Sequence, residues 1–593
     1  MAAYYRNYVI KRIVQTLNKK GAGSADLKRD VRQIIKLSQA TKKYRCTDPQ
    51  LQVSVGAGDG GRQLDMASVE TELQQDAHTD IEAVTADKRN LYIKIKNHKF
   101  NQHILRTIQH QKELYGYKSE DDLRTVTGQH MVVEYSSPNI AKPFHTGHLR
   151  STIIGNFVSN LFEAVGHRVT RLNYLGDWGT QFGLLLTGYH RYGDAHKLSV
   201  DPLLHLFEVY VKINHDVQAE KAKGERHTYE EALATFSRLE TGDVDVVNTW
   251  KEFRHVSLAE YNKIYQRLGI RFSETHTESM YDEATKTLMK HLTQANILHT
   301  DDAGVGYVEI AKRKNEEKTE EMEKVKLVKS DGTSLYLSRD IAAAVDRVNK
   351  YKFDRMHYVV DHSQRNHFLQ LQSVLDLLGH HWSQQPHFHI PFGRVEGMST
   401  RRGEVVFLRD LLDEAQGRMR QTLIEKNTTR ADIDVEGVAD TLGISSIIVQ
   451  DLKERRTSNY KFSWERMLNF KSDSGVFLQY CHARLCSIQR SFIDEDADVG
   501  DGRQLREETA GRLILHLASY PDVVQESLRS LEPYHIVHYL FRLGHMINAA
   551  YKHLPVKGQD AATAQARLAL FDCSRQTLSN GLTLLGITPL QKM

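Results

Sequence analysis

Between Ser136 and Ile154 the chain reads SSPNIAKPFHTGHLRSTII, which sets His145 and His148 three residues apart around Gly147. Residues at that spacing share one side of a helical turn. The first turn of a helix leaves backbone N–H groups unpaired at the positive end of its dipole, a setting for a phosphate. The glycine leaves the backbone open to a flat ring such as adenine. Two imidazoles there would stabilise charge growing on phosphate oxygens during in-line displacement, where catalysis is mostly positioning and electrostatics. Two surface histidines capping a helix would spell the same letters, so the surrounding elements must decide.

Those elements are a strand and a helix. MVVEY, Met131 to Tyr135, has strand composition, and Leu149, Ile153, Phe157 and Leu161 recur at helical spacing, with Pro138 and Pro143 in the loop between. From about 126 to 410 such segments alternate: HRVTRLNYLG follows, and later MHYVVD leads into a helix through Leu378. Alternation predicts parallel βαβ units. A polar helical stretch at about 190–270 interrupts it, as does a segment at about 283–333 whose charge run KRKNEEKTEEMEKVK reads as solvated. Residues 411–593 are amphipathic helix almost throughout, for example Ile536, Tyr539, Leu540, Leu543 and Ile547, which predicts a helical bundle. Residues 1–125, with LQVSVGAGDGGRQL and NLYIKIKNHKF, read as helices beside a small sheet. The expected fold class is therefore multidomain α/β plus all-α, in three domains, as a length of 593 residues requires.

The net charge of +4 is unevenly spread: residues 1–50 hold twelve Lys and Arg against three Asp. That imbalance suits a polyanion, or an organellar address in MAAYYRNYVIKRIVQTLNKK, with a retained basic helix as the alternative. Cys46, Cys481, Cys486 and Cys573 show no CxxC spacing, which points to a reducing compartment and no structural zinc. No apolar run has the length of a bilayer span.

Two other patterns invite chemistry. Gly56, Gly58 and Gly61 satisfy GxGxxG, but the next strand, NLYIKIKN, ends in Lys96, Asn97 and His98 rather than an acid, so a glycine-rich turn is the better reading. His380, His381, His387 and His389 have no carboxylate or cysteine at ligand spacing, so they read as solvent-facing and no metal is expected. GxxxxGK[ST] and GxSxG are absent.

HTGH resembles the HIGH signature of class I aminoacyl-tRNA synthetases, and EYSSPNIAKPFHTGHLRSTIIGN resembles the arginyl-tRNA synthetases in particular. The likeness continues, in the family's order, through LNYLGDWGTQFG, SLYLSRDIAAAVDR, VVDHSQRNHF, GVFLQYCHARLCSI and LLGITPLQKM, and EGMSTRRGEVVFL and KFSWERML are most similar to the animal mitochondrial form. The resemblance implies a Rossmann-like catalytic domain with insertions, an N-terminal domain touching tRNA, and a helical anticodon-binding domain. It implies ligation of arginine to its tRNA through an arginyl-adenylate, with ATP and Mg2+ as substrate, no protein-ligated metal, and a monomer in the mitochondrial matrix or the cytoplasm.

Matched position for position, His145, His148 and Lys142 would meet the ATP phosphates, and Gly147, Gly176, Asp177 and Gly179 would line the nucleotide. Asp177 could instead cap a helix. Met398, Ser399 and Arg401 fall in EGMSTRRG, where the family's second signature usually carries lysines. Gly397 and Thr400 stand in their place, and Lys142, Arg401 and Arg402 are the candidate replacements. Asp340 and Tyr336 of YLSRD, with Glu134, would take the substrate guanidinium, which calls for a planar bidentate acceptor. Asp340 could equally be an acid balancing a helix dipole. Ser137, Pro138, Asn139, His148 and Gln364 would hold the amino acid's other end. Tyr480, His482 and Arg484 would meet unstacked anticodon bases.

Overall fold

The computed structural model describes residues 35–37, 50–54, 70–71, 73–74, 80–86, 90–117, 128–142, 144, 146–314, 317–396, 407–426, 434–467, 473–492 and 502–593. His145, Pro143, the segment 397–402 with Met398, Ser399, Arg401 and Arg402, the glycines at 56–61, Cys46 and the basic first residues lie outside them. The chain divides into two compact units, one of Thr127–Met419 with Glu454–Trp464, the other of Met1–Val126, Arg420–Lys453 and Glu465–Met593.

The second of these units opens with β1 (Ile35–Leu37), β2 (Gln50–Ser54), β3 (Ile81–Ala86) and β4 (Asn90–Ile95), an antiparallel sheet in the order β1-β2-β4-β3. Because β2 runs antiparallel to β4, the strand before the glycine-rich stretch lacks the parallel neighbour of a dinucleotide site. Helix α1 (Asn97–Gln111) follows.

The first of these units runs β5 (His130–Glu134), α2 (Thr146–Ala164), β6 (Arg168–Leu175), α3 (Thr180–Tyr192), α4 (Pro202–Ala222), α5 (His227–Glu240), α6 (Val244–Arg267), β7 (Glu274–Thr277) and α7 (Asp282–Gln294). Next come β8 (His299–Thr300), β9 (Gly306–Lys314), β10 (Glu317–Val328), α8 (Tyr336–Tyr351), β11 (Arg355–Asp361), α9 (Arg365–Leu377) and β12 (His389–Phe392). The central sheet has the order β12-β11-β5-β6-β7, all parallel. In chain order that is a doubly wound sheet, whose winding reverses between β5 and β11. All five residues of β5 are buried, as a strand covered on both faces must be. Its core joins Val132, Leu172, Ile341, Met356, Phe368, Leu371 and Phe388.

The polar stretch at 190–270 is helix because its apolar residues fall on one stripe: Leu206, Phe236, Trp250 and Phe253 pack with Trp178 and Phe182 into a separate cluster. Asp201 and Asp243 cap α4 and α6 by accepting backbone N–H bonds. The charge run at 312–326 is solvated as read where it is described, with Glu321, Lys324 and Lys326 exposed, and its described residues lie on the antiparallel strands β9 and β10. The alternation at Val325 and Leu327 decides the strand, since these enter the core with Val308 and Ile310 while Lys324 and Lys326 are exposed.

Helices α10 (Leu408–Lys426), α11 (Val435–Leu452), α12 (Gly475–Ser491), α13 (Glu508–Ala518), α14 (Tyr520–Ser530), α15 (Tyr534–His553) and α16 (Ala561–Leu584) complete the chain. The apolar stripe read on α15 is buried at all five positions. The last residues close on α12: Gln479 donates to the Thr588 carbonyl (2.8 Å) and accepts from the Leu590 N–H (2.8 Å). Segment 97–117 belongs to the same body, with Tyr115 Oη donating to the Leu517 carbonyl (2.9 Å) and Asn580 to the Lys112 carbonyl (2.9 Å).

Helix α2 lies close against β5. A Cβ placed on Gly155 would stand 2.2 Å from Cγ of the Tyr135 ring, which is packed against Phe272 and cannot swing away. Gly155→Ala is therefore expected to destabilise this unit by about 1–3 kcal/mol, the cost of overpacking. All four tryptophans, Trp178, Trp250, Trp382 and Trp464, lie in this unit, so a lowered urea midpoint followed by tryptophan fluorescence measures it.

Candidate active site

The crevice at the carboxyl ends of β5 and β11 is where an open parallel sheet binds its ligands. The chain leaves β5 through Ser136, Ser137 and Ala141, three non-glycine residues with φ of 74°, 48° and 58°. Such backbone costs about 1 kcal/mol or more each and persists only where neighbours enforce it. Here the neighbours are polar. The Ser136 N–H donates to Ser151 Oγ (2.9 Å), its hydroxyl meets Tyr265 Oη (2.7 Å), and the Ser137 N–H donates to Asn173 (3.1 Å). Tyr261 Oη donates to the carbonyls of Asn139 (2.6 Å) and Lys142 (2.9 Å). The Ser137 hydroxyl stays buried without a partner.

Asn139 and Gly176 form a bridge between the β5 and β6 loops, and a Cβ on Gly176 would lie 2.0 Å from Asn139 Oδ1. The glycine is thus a spacing requirement for the asparagine. Gly179 has φ of 112° and starts α3, and a Cβ on it would lie 3.8 Å from Tyr336 Oη, so YLSRD and LGDWG converge here. Tyr336 is 56% exposed at the first turn of α8.

Gly147 is exposed and His148 half-buried on the first turn of α2, with the His148 ring 5.5 Å from Phe144. The helix is anchored by Arg150, whose guanidinium donates to the carbonyls of Gly393 (2.6 Å) and Ser458 (2.8 Å) just before the EGMSTRRG stretch. The Phe144 carbonyl accepts from the Leu408 N–H (2.7 Å) at the start of α10. Lys142 Nζ donates to Gln181 (3.1 Å) and lies 5.3 Å from the Tyr210 ring. Burial lowers its pKa from the ordinary lysine value, against the pull of Glu278.

Asp177 corrects the reading from sequence. It is fully buried, and both carboxylate oxygens accept from Ser279, its N–H (2.8 Å) and its hydroxyl (2.7 Å). Rather than lining an exposed ligand surface, it binds the first-turn N–H of the 3-10 helix Glu278–Tyr281 and so ties the β6 loop to the turn after β7. His389 is not solvent-facing either, since it stacks on Phe368 (4.6 Å) and its Nε2 reaches the Val360 carbonyl (3.1 Å).

The acidic half of the site gathers at the strand ends. Glu134 ends β5 opposite Tyr358 of β11 and is ion-paired with Arg347 of α8. One turn from the start of α8, Asp340 Oδ2 accepts from His367 Nε2 (2.7 Å). Gln364 is exposed at the end of the turn after β11. Glu278, beyond β7, stands 4.0 Å from Arg339 with its Oε2 and the Arg339 Nη1 both buried and unpartnered. Burial pushes its carboxyl up to about 8, Arg339 opposing and Asp340 and Asp177 adding. Of these, Arg339, Arg347, Glu278 and His367 were not singled out in the sequence. Arg347 was accessible there, since Asp340 and Arg347 are seven apart and share a helix face. Among the described residues no group of three or more His, Cys, Asp or Glu is placed to hold a metal ion.

In the helical unit Tyr480 is 45% exposed, and Arg484 lies 3.4 Å from the ring centre of the half-exposed Tyr551, a flat surface suited to stacking. His482 is a correction: it is fully buried, with Nδ1 against the Leu590 carbonyl (2.8 Å), and burial lowers its pKa to about 4. It holds the chain end and cannot touch a nucleic acid.

Residues 104–464 match the family model "tRNA synthetases class I (R), catalytic domain", and residues 478–593 match the DALR anticodon binding domain. The chain is 41% identical over 560 residues to the probable mitochondrial arginine–tRNA ligase of Mus musculus, covering 93% of this chain and 94% of that one. It is 42% identical over 488 residues to the cytoplasmic arginine–tRNA ligase of Saccharomyces cerevisiae, covering 81% and 79%. The fold is similar to that of Thermus thermophilus arginyl-tRNA synthetase, with a TM-score of 0.77 at 21% identity over 99% of this chain and 100% of that one.

Glu278 carries a pH dependence. Its folded pKa, about 8, lies above the ordinary 4.5, so the native state binds the extra proton. Its contribution is fully present below the ordinary value and is lost as pH rises through about 8. Glu278→Gln should flatten a decline of up to a few kcal/mol between pH 5 and 8.5, read from urea midpoints followed by tryptophan fluorescence.

Proposed function

The chain belongs to the class I arginyl-tRNA synthetases, and from that premise we propose which of its residues carry out the joining of L-arginine to tRNA. The reaction has two steps: the arginine carboxylate attacks the α-phosphate of ATP and displaces pyrophosphate, and the arginyl group then passes to a ribose hydroxyl at the tRNA end. No enzyme nucleophile is needed, so the work is alignment and charge stabilisation.

What supports the assignment is that β5 ends in the buried Glu134 at the switch point of the sheet, with the partly exposed Asp340 of α8 near it, and that the chain turns from there into α2. Asp340 and Glu134 accept the guanidinium, with Tyr336 closing over it from the first turn of α8. Asn139 and the unpartnered Ser137 hydroxyl hold the α-amino end, and Gln364 the carboxylate. His145 and His148 stabilise the phosphates of ATP, which enters as its magnesium complex with the ion as part of the substrate. Lys142, beside the same turn, supplies the positive charge that the second signature lacks. Tyr480, Arg484 and Tyr551 stack on anticodon bases, and the enzyme works as a monomer because one chain carries both domains.

Purified protein incubated with labelled arginine, ATP and total tRNA is expected to make the label acid-precipitable. Asp340→Ala should lower kcat/KM for arginine by about a hundredfold or more, the scale of losing a charged hydrogen-bond partner. Retention of tRNA on filters should stay near wild type. Equal loss of both would make the residue structural, and tRNA retention without any charging would make the protein a binding module.

We place this activity in mitochondria, on the basic N-terminal segment and the likeness to relatives named mitochondrial. A tagged copy is expected to co-fractionate with mitochondria; a cytosolic distribution would assign it to the cytoplasmic pool.

A further inference from the structure

Phe144 lies between the turn that leaves β5 and the start of α2, and it is 1% exposed. Its ring centre is 5.9 Å from that of Tyr261, 5.6 Å from that of Tyr265 and 5.5 Å from that of His148. Its carbonyl is fixed as well, since it accepts from the Leu408 N–H at 2.7 Å. The ring thus joins a half-exposed histidine of the first turn of α2 to two fully enclosed tyrosines.

Those tyrosines belong to one face of α6. Ser257, Tyr261 and Tyr265 follow at intervals of four along that helix, and all three are buried. Ser257 Oγ accepts from the Ala141 N–H (3.2 Å), and Tyr261 Oη donates to the Asn139 and Lys142 carbonyls. Tyr265 Oη meets the Ser136 hydroxyl (2.7 Å) and accepts from Asn173 Nδ2 (3.1 Å). Of the three left-handed residues in the turn, Ser136 and Ala141 are bonded to this face directly, and Ser137 to the asparagine that Tyr265 holds. One helix face therefore fixes the turn from its hydroxyl groups and Phe144 from its rings.

We propose that Phe144 is a positioning residue, which carries the rigidity of the α6 face to the His148 imidazole and holds that ring in the orientation that meets ATP. The proposal rests on the reading that His148 contacts the ATP phosphates. A side chain on the first turn of a helix has several staggered rotamers open to it, and packing against an aromatic ring selects among them. A reacting geometry is kept only by side chains whose own rotamers are locked by their neighbours. Phe144 also lines, with Leu203, Ile264, Phe407, Leu408 and Leu412, a cavity of about 210 Å³. A shortened or unbranched side chain would have room to move there, so the full ring is what keeps the contact with His148. The hydrogen bonds that hold Ser137 and Asn139 come from Asn173, Tyr261 and the Gly176 bridge, and they do not pass through Phe144. The ring therefore serves the nucleotide and leaves the amino acid's subsite alone.

The test is a double-mutant cycle on the full-length protein, read by aminoacylation of tRNA with ATP and arginine varied in turn. Phe144→Leu should lower kcat/KM for ATP about three- to tenfold, the scale of one lost aromatic pair. KM for arginine and retention of tRNA on filters should stay unchanged. His148→Ala should lower kcat/KM for ATP by more, and adding Phe144→Leu to it should cost nothing further, because the ring being positioned is gone. Phe144→Met, which keeps much of the volume and loses the ring, should match Phe144→Leu, and it decides alone should the Leu variant fail to fold, as its tryptophan emission would report. Full additivity with His148→Ala overturns the proposal, and so do wild-type kinetics in the Phe144 variants. A rise in KM for arginine equal to the loss toward ATP also overturns it and makes Phe144 a prop for the whole turn. If His148→Ala itself leaves kcat/KM for ATP unchanged, the reading of His148 at the phosphates falls and takes the proposal with it, which separates that failure from the others.

Discussion

A site that recognises a guanidinium must keep carboxylates charged in a place from which water is largely withdrawn. Each such charge costs several kcal/mol to bury, and each neighbouring acid adds to the cost. Asp340 lies near both Glu134 and Glu278, and the chain meets the cost differently for each. Glu134 has a guanidinium from within the protein, and Asp340 has an imidazole N–H and a partly open position. Glu278 stands 4.0 Å from Arg339, beyond hydrogen-bond reach, and its carboxyl holds its proton up to about pH 8. The topology of the sheet makes this assembly attainable, because β5, β7 and β11 end on one side and α8 starts there.

The turn from β5 into α2 is governed by backbone rather than charge. A strand that leaves a sheet and must begin a helix over its own end has little length in which to turn, and three left-handed residues between Ser136 and Ala141 are the result. The strain is tolerable because hydroxyls from Ser151, Tyr261 and Tyr265 receive or supply the hydrogen bonds that ordinary secondary structure would have made. Arg150 extends the same logic forward, fixing the carbonyl of Gly393 ahead of the stretch that stands where the second signature would be.

The parallel sheet and the helical bundle were legible in the sequence because both depend on periodicity: MVVEY, HRVTRLNYLG and MHYVVD became β5, β6 and β11, and the stripe on α15 is buried as read. The charge run at 312–326 was legible as solvated but not as strand, because only the apolar residues Val325, Leu327 and Val328 at its end carry the pairing signal. Motif matching placed Asp340, Tyr336 and Asn139 in one crevice but could not tell a residue that faces a ligand from one that braces it. Asp177 and His482 both sit inside motifs, yet their polar atoms are spent on Ser279 and on the chain end. Burial is a property of three-dimensional neighbours, and no spacing rule reports it.

The charge balance of the pocket shows why a guanidinium rather than an ammonium completes it. Glu134 is paired with Arg347, Glu278 faces Arg339, and Asp340 accepts from His367. Charge alone would admit lysine. Glu134 and Asp340 come from different elements, a strand end and a helix turn, and Tyr336 stands one turn before Asp340 on α8. Acceptors dispersed in this way are satisfied by a planar group with five N–H donors in a fixed fork, whereas a compact ammonium on a flexible stem would leave part of the array unpaired. Because an unpaired buried acceptor costs its full desolvation, the geometry of these acceptors, more than their number, is what discriminates.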